Sequence, residues 1–259
     1  MSPTPGGGLR RPLFVAAVVL AAVVVLVELG MSGLVGGNPV GAVPVDMATG
    51  LGVDREIAQD ASLGASAPPG SGIAHLALVD GLLLFTLVLI GSSLVLSQRL
   101  YGRVQGAVTL VVSLLWILAG VLAAVLALAQ LFLMIGLLTA VPFGTLAYLA
   151  IWGFFPAGDA ALVLGLVLVL KIAMVGFLVA AQPKFLQVKG LVALIAASVL
   201  LQLVLGLIHG FLPGPVIAIG DQLWAVVTAV VAAVWALAML IGAIPAVVNA
   251  VRVSGAGAD

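Results

Sequence analysis

No cysteine occurs anywhere in the 259 residues. That absence excludes disulfides, thiolate metal sites, iron–sulfur clusters and cysteine nucleophiles together, and it leaves the redox compartment open. Charge is nearly as scarce: Asp, Glu, Lys and Arg make up 7% of the chain, nine basic against nine acidic. With no basic excess, nucleic acid is not an expected partner. The chain also lacks a GxSxG elbow, an HExxH pair and a phosphate-binding loop, so the expectation is a protein without catalytic activity or a bound cofactor.

What is abundant is apolar surface. Hydrophobic residues account for 64% of the chain and the mean hydropathy is +1.41, outside the range of water-soluble domains. A membrane crossing needs a helix of about 20 apolar residues. Runs of suitable length fall at 13–35, 77–97, 107–129, 160–181, 190–210 and 222–244. The expected fold is all-α, a polytopic integral membrane bundle of six helices forming one transmembrane domain over 13–250. An N-terminal tail (1–12), an external loop (36–76) and a C-terminal tail (251–259) complete it. The first run follows Arg10 and Arg11 and is not closely followed by a small-x-small cleavage site, so it is read as an uncleaved span.

Orientation follows from where Lys and Arg fall near the span ends. Arg10 and Arg11, Arg99 and Arg103, Lys184 and Lys189, and Arg252 all belong to one side of such a bundle. Asp46, Asp54, Glu56, Asp60, Asp159 and Asp221 face the other, with Arg55. Both termini are therefore expected to be cytoplasmic. The uncharged stretch 107–155 is the ambiguous part, because a second crossing there would turn Lys184, Lys189 and Arg252 outward. Residues 137–156, interrupted by Pro142 and Gly144, are therefore read as a re-entrant or interfacial segment on the outer side. Residues 31–72 are rich in Gly, Pro, Ala and Ser and read as a linker, with a short helix over 51–61.

Residues 78–110 align without a gap on 162–194, matching Gly81 to Gly165, Gln98 to Gln182, Tyr101 to Phe185 and Gly106 to Gly190. Such an echo is expected of parallel repeats about an axis normal to the membrane.

Lys171 breaks the pattern, a cation within LVLGLVLVLKIAMVGFL. At about 1.5 Å per residue it lies roughly 18 Å from Asp159 and roughly 20 Å from Lys184, which is mid-bilayer. A charge there costs at least about 2.5–3.5 kcal/mol and usually faces the bundle interior or a wet cavity. Candidate partners are Glu28, Asp80, Gln130 and Gln202. The same counting places Glu28 about 25 Å from Arg11 and Asp80 about 28 Å from Arg99, both near the outer face, so the glutamines are equally suitable. Two roles are open to the lysine: binding an anion or the acidic group of a transported solute, or packing and assembly by snorkelling or hydrogen bonding.

His75 and His209 fall at comparable height near the outer interface, where a haem or metal could use the pair with Asp80 or Asp221; interfacial hydrogen bonding is the commoner role. Asp159 and Asp221 read as helix-start anchors. Gly91, Gly120, Gly165, Gly176, and the Gly206–Gly210 GxxxG are small residues suited to close helix approach in lipid.

The partners expected are lipid and other membrane proteins, or further copies of the chain. A non-catalytic subunit or scaffold is the leading expectation, and a small-solute or ion transporter or channel using Lys171 is the alternative. The Ala, Val, Leu and Gly bias of GC-rich coding points to a bacterial plasma membrane. Because the chain has no native cysteine, single cysteines can test the topology. Ser66→Cys and Ala157→Cys are expected to react with an impermeant maleimide in intact cells, and Ser97→Cys only after the membrane is opened.

Overall fold

The computed structural model describes residues 7–35, 55, 71–93, 98–139, 158–212 and 214–255. Six long helices are present among the described residues: α1 (Gly7–Val35), α2 (Ser71–Ser92), α3 (Gln98–Thr139), α4 (Gly158–Ala181), α5 (Lys189–Phe211) and α6 (Gly214–Gly255). A short 3₁₀ turn, Pro183–Gln187, links α4 to α5. Each of the six helices is long and apolar enough to cross a membrane. Helices answer the central demand of lipid, which offers no partner to a backbone amide, by satisfying that amide within the segment.

The helix limits differ from the apolar runs in informative places. Helix α2 begins at Ser71 and so takes in His75, while α3 continues to Thr139 and α6 runs through Pro245 to Gly255. Because proline removes one helical hydrogen bond, the sequence predicts that the sixth span ends at Pro245 with a short interfacial helix continuing beyond it; in the structure a single helix runs through Pro245 to Gly255. The segment 137–156 enters the described structure only at 137–139, which are helical; the rest of it lies outside the described residues. Most of the loop at 36–76 does so too, and of the short helix expected over 51–61 only Arg55 is described, in helical conformation.

Helix α2 is the hub, in contact with α1, α3, α5 and α6. Half of its membrane window is buried, against a third or less of every other span. Its composition allows this, since Ile73, Leu76, Val79, Leu82, Leu83 and Leu87 place apolar side chains around its circumference. On one side of α2, α1 packs along α4; on the other, α3 packs along α6 in the most extensive pairing of the fold; α5 bridges α4 to α2 and α6. Outward faces carry exposed Leu118, Val125, Leu162, Val169, Leu203 and Leu237, the arrangement expected where lipid is the solvent.

Cross-helix contacts fix the vertical register. Phe14 near the start of α1 packs on Phe185 after α4, with ring centroids 5.5 Å apart. Arg10, Arg11, Lys184 and Lys189, all exposed, therefore lie at one end of the bundle. Trp116 donates its indole N–H to the Leu78 carbonyl and Trp224 to the Leu201 carbonyl, each at 2.8 Å.

The glycines divide into two kinds. At Gly120 an added Cβ would stand 3.0 Å from both the Ala229 carbonyl and the Ala233 Cβ, so the α3–α6 crossing requires a residue without a side chain. Gly165, Gly176 and Gly206 have nothing within 4 Å of that position, and Gly210 only an ordinary contact at 3.9 Å. Among the described residues the GxxxG pair is thus not the site of a tight helix crossing. The aligned Gly81 and Gly165 also differ, because a Cβ at Gly81 would strike Trp116 at 2.7 Å. Gly120→Val is expected to lower stability by about 1–3 kcal/mol through overpacking, and Gly165→Ala to leave it within about 0.5 kcal/mol, as read from thermal unfolding in detergent.

Candidate functional site

Lys171 stands at the middle of the Ala161–Ala181 span, on the inward stripe Leu164, Val167, Lys171, Met174, Leu178. Glu28 occupies the equivalent stripe on α1, after Phe14, Ala17, Ala21 and Val24. Both stripes repeat at alternating spacings of three and four residues, which keeps one face of each helix on its neighbour. The two charges therefore point into the seam between α1 and α4. Asp80 reaches the same point from the hub helix.

The three side chains form a cluster. Lys171 Nζ lies 2.5 Å from Asp80 Oδ2 and 3.2 Å from Glu28 Oε1, with side-chain exposures of 1%, 2% and 1%. Ser198 on α5 donates its hydroxyl to Asp80 Oδ1 at 2.5 Å, which brings a fourth helix to the site. The ionic contacts are close but not aligned as hydrogen bonds. Lys171 Nζ, both Glu28 oxygens and Asp80 Oδ2 have no hydrogen-bond partner among the described residues. Asp80 is nevertheless the better supported acid, with a hydroxyl donor and the shorter ammonium contact.

The helix limits correct the depth assigned to Asp80 from sequence, and the cluster shows that Glu28, near the end of its own span, still reaches Lys171. Counting from Arg99 misplaces Asp80, because α2 ends at Ser92 and Arg99 belongs to the next helix, α3. Measured within its own helix, Asp80 is about 18 Å from Ser92. For Glu28 the reference level is the Phe14–Phe185 contact: Glu28 stands about 21 Å along α1 from Phe14, and Lys171 about 15 Å along α4 from Ala181, which itself precedes Phe185 by four residues. The two heights therefore nearly coincide, and the lysine stem spans the remaining offset.

The glutamines take other places. Gln202 Nε2 donates to the Leu164 carbonyl at 2.7 Å, one turn from Ser198 on the same buried face of α5. Gln130 is half-buried on α3, which packs on α2 and α6 rather than on α4. Ser198 carried no sequence-level prediction. Its signal was present in the buried face Leu194, Ser198, Leu201, Gln202, Leu205, where two polar residues sit one turn apart.

A second buried group closes the end of the bundle opposite the Phe14–Phe185 contact. His209 Nε2 lies 2.9 Å from Asp221 Oδ1, and the Gly72 N–H donates to Asp221 Oδ2 at 3.1 Å. Asp221 is therefore not an anchor for the start of its own helix, which begins seven residues earlier at Gly214. It caps α2 instead, accepting an N–H that has no intrahelical partner and placing negative charge at the positive end of that helix. The close approach requires glycine, since a Cβ at Gly72 would lie 2.5 Å from Asp221 Oδ1. His75 contacts the Ala123 carbonyl of α3 at 3.4 Å, so the two histidines face different neighbours. No group of three or more His, Asp or Glu positioned to hold a metal occurs among the described residues.

The chemistry available at the cluster is set by its charge. Two carboxylates and one ammonium leave a formal charge of −1 when all are ionised, inside an apolar bundle where uncompensated charge is costly. One added positive charge would bring the cluster to neutrality. Searches against protein-family models, curated proteins and solved structures find no match.

Removing one partner of a buried ion pair costs about 3–5 kcal/mol, whereas replacing the whole group with neutral residues is often tolerated. Lys171→Met is expected to destabilise the protein within that range. The triple variant Glu28→Gln, Asp80→Asn, Lys171→Met is expected to recover much of the loss, as measured by unfolding in one detergent.

Proposed function

We propose that the protein is a small-ion transporter or channel of a bacterial plasma membrane, with Glu28, Asp80 and Lys171 as its working centre. The observation that carries this reading is the joining of three membrane helices by ionisable groups of unequal charge, with Lys171 at the middle of its span. Ionisable residues at that depth are expensive, and they commonly mark ion pathways and proton relays. A cluster built only to fasten helices would be cheaper in neutral residues.

The site also bears on the assembly role of Lys171. Its side chain is buried inside its own bundle and engaged by two carboxylates, so it offers no charge to a neighbouring protein. The second reading, a non-catalytic subunit or scaffold, rests on a different feature. Helices α3 and α6 are each 42 residues long, about 63 Å at helical rise, roughly twice the hydrocarbon thickness. Their ends therefore extend beyond the lipid core and could dock another protein.

Purified protein in liposomes separates these roles. An imposed pH gradient, with potassium and valinomycin clamping the membrane potential, is expected to dissipate faster than in empty liposomes. In Lys171→Met or Glu28→Gln the rate is expected to fall at least about tenfold, the loss of about 1.4 kcal/mol of barrier lowering or more. Wild-type rates equal to those of empty liposomes would overturn the transport reading and leave the subunit reading.

A further inference from the structure

The two acids of the cluster are not equivalent, and the difference identifies the ion. Asp80 accepts the Ser198 hydroxyl at Oδ1, and its Oδ2, which like the Glu28 oxygens has no aligned donor among the described residues, stands 2.5 Å from the ammonium. Glu28 has a longer contact of 3.2 Å on Oε1, and neither of its oxygens has a hydrogen-bond donor among the described residues, although the residue is fully buried. Charges facing this point come from the two helices packed on α1. They are Asp80 on α2 and Lys171 on α4; His75, also on α2, contacts α3 instead. Arg10 and Arg11 share α1 with Glu28 but are exposed about 25 Å away at the other end.

With Asp80 and Lys171 neutralising one another, the unmatched charge of the cluster falls on Glu28. A metal cation entering there would lie beside an ammonium already within 3.2 Å of one carboxylate and 2.5 Å of the other. A proton needs no such space: it bonds directly to a carboxylate oxygen. We infer that Glu28 binds one exchangeable proton while Asp80 and Lys171 stay a fixed ion pair, so that the ion handled by this site is H⁺. On uptake an O–H bond forms at a Glu28 oxygen as one breaks in hydronium or a buffer acid. The cluster passes from a formal charge of −1 to zero, and release reverses the step. No electron changes hands.

This inference names the ion for the transport reading and rests on it, but its test requires no flux. Infrared difference spectra of purified protein near neutral pH are expected to show a carboxylic-acid carbonyl band that downshifts in D₂O and disappears in Glu28→Gln. Glu28→Asp is expected to move the band and Asp80→Glu to leave it in place. Each variant is first checked for a monodisperse profile and for helicity equal to wild type. A spectrum in which Glu28→Gln removes no acid band, or a band that moves with Asp80→Glu and not with Glu28→Asp, would overturn the assignment. The band without flux in liposomes would leave the proton site standing and remove transport. Flux without the band would do the reverse.

Discussion

The burial of Lys171 beside Asp80 and Glu28 is the constraint around which the helix faces are arranged. An ammonium at mid-membrane has few stable solutions, and this one draws α1, α2 and α4 to a single point while Ser198 brings in α5. The apolar positions around it then have their faces assigned. Leu164, Val167, Met174 and Leu178 must turn inward with Lys171, and Phe14, Ala17, Ala21 and Val24 with Glu28, because each stripe is one side of one helix.

This assignment matters because lipid supplies little hydrophobic force to select one helix face over another. Packing and polar contacts decide instead. Two devices do so here besides the ion cluster. Small residues at Gly120, Ala229 and Ala233 let α3 and α6 approach closely, and the His209–Asp221 pair, capped onto Gly72, locks α2, α5 and α6 at the opposite end from the Phe14–Phe185 contact. The hub helix is thus held at its start by hydrogen bonds and near its middle by charge.

The same features that stabilise the bundle give the centre its chemical asymmetry. Asp80 lies on the hub and receives support from two neighbours, whereas Glu28 lies on a peripheral helix and receives one long contact. A rigid ion pair beside a less supported acid is a suitable arrangement for taking up and releasing a single charge. The inferred proton site on Glu28 follows from that inequality, not from burial alone.

The amino-acid sequence by itself determined the environment, the six spans and the anomaly at Lys171, because hydropathy and helical rise are local properties that do not depend on neighbours. It also singled out Glu28, Asp80 and Gln202 as polar residues in or beside apolar spans, without the means to rank them. Only the tertiary structure decided which of these meet. Depth counted from Arg99 placed Asp80 too far out, because Arg99 belongs to the next helix, whereas Glu28 does lie near the end of its span and meets Lys171 only through the way α1 and α4 are set against each other. Ser198 and the capping of α2 by Asp221 were equally hidden, for they pair residues 118 and 149 positions from their partners. Side-chain contacts across helices depend on rotation and relative height, and neither quantity is written in any single span.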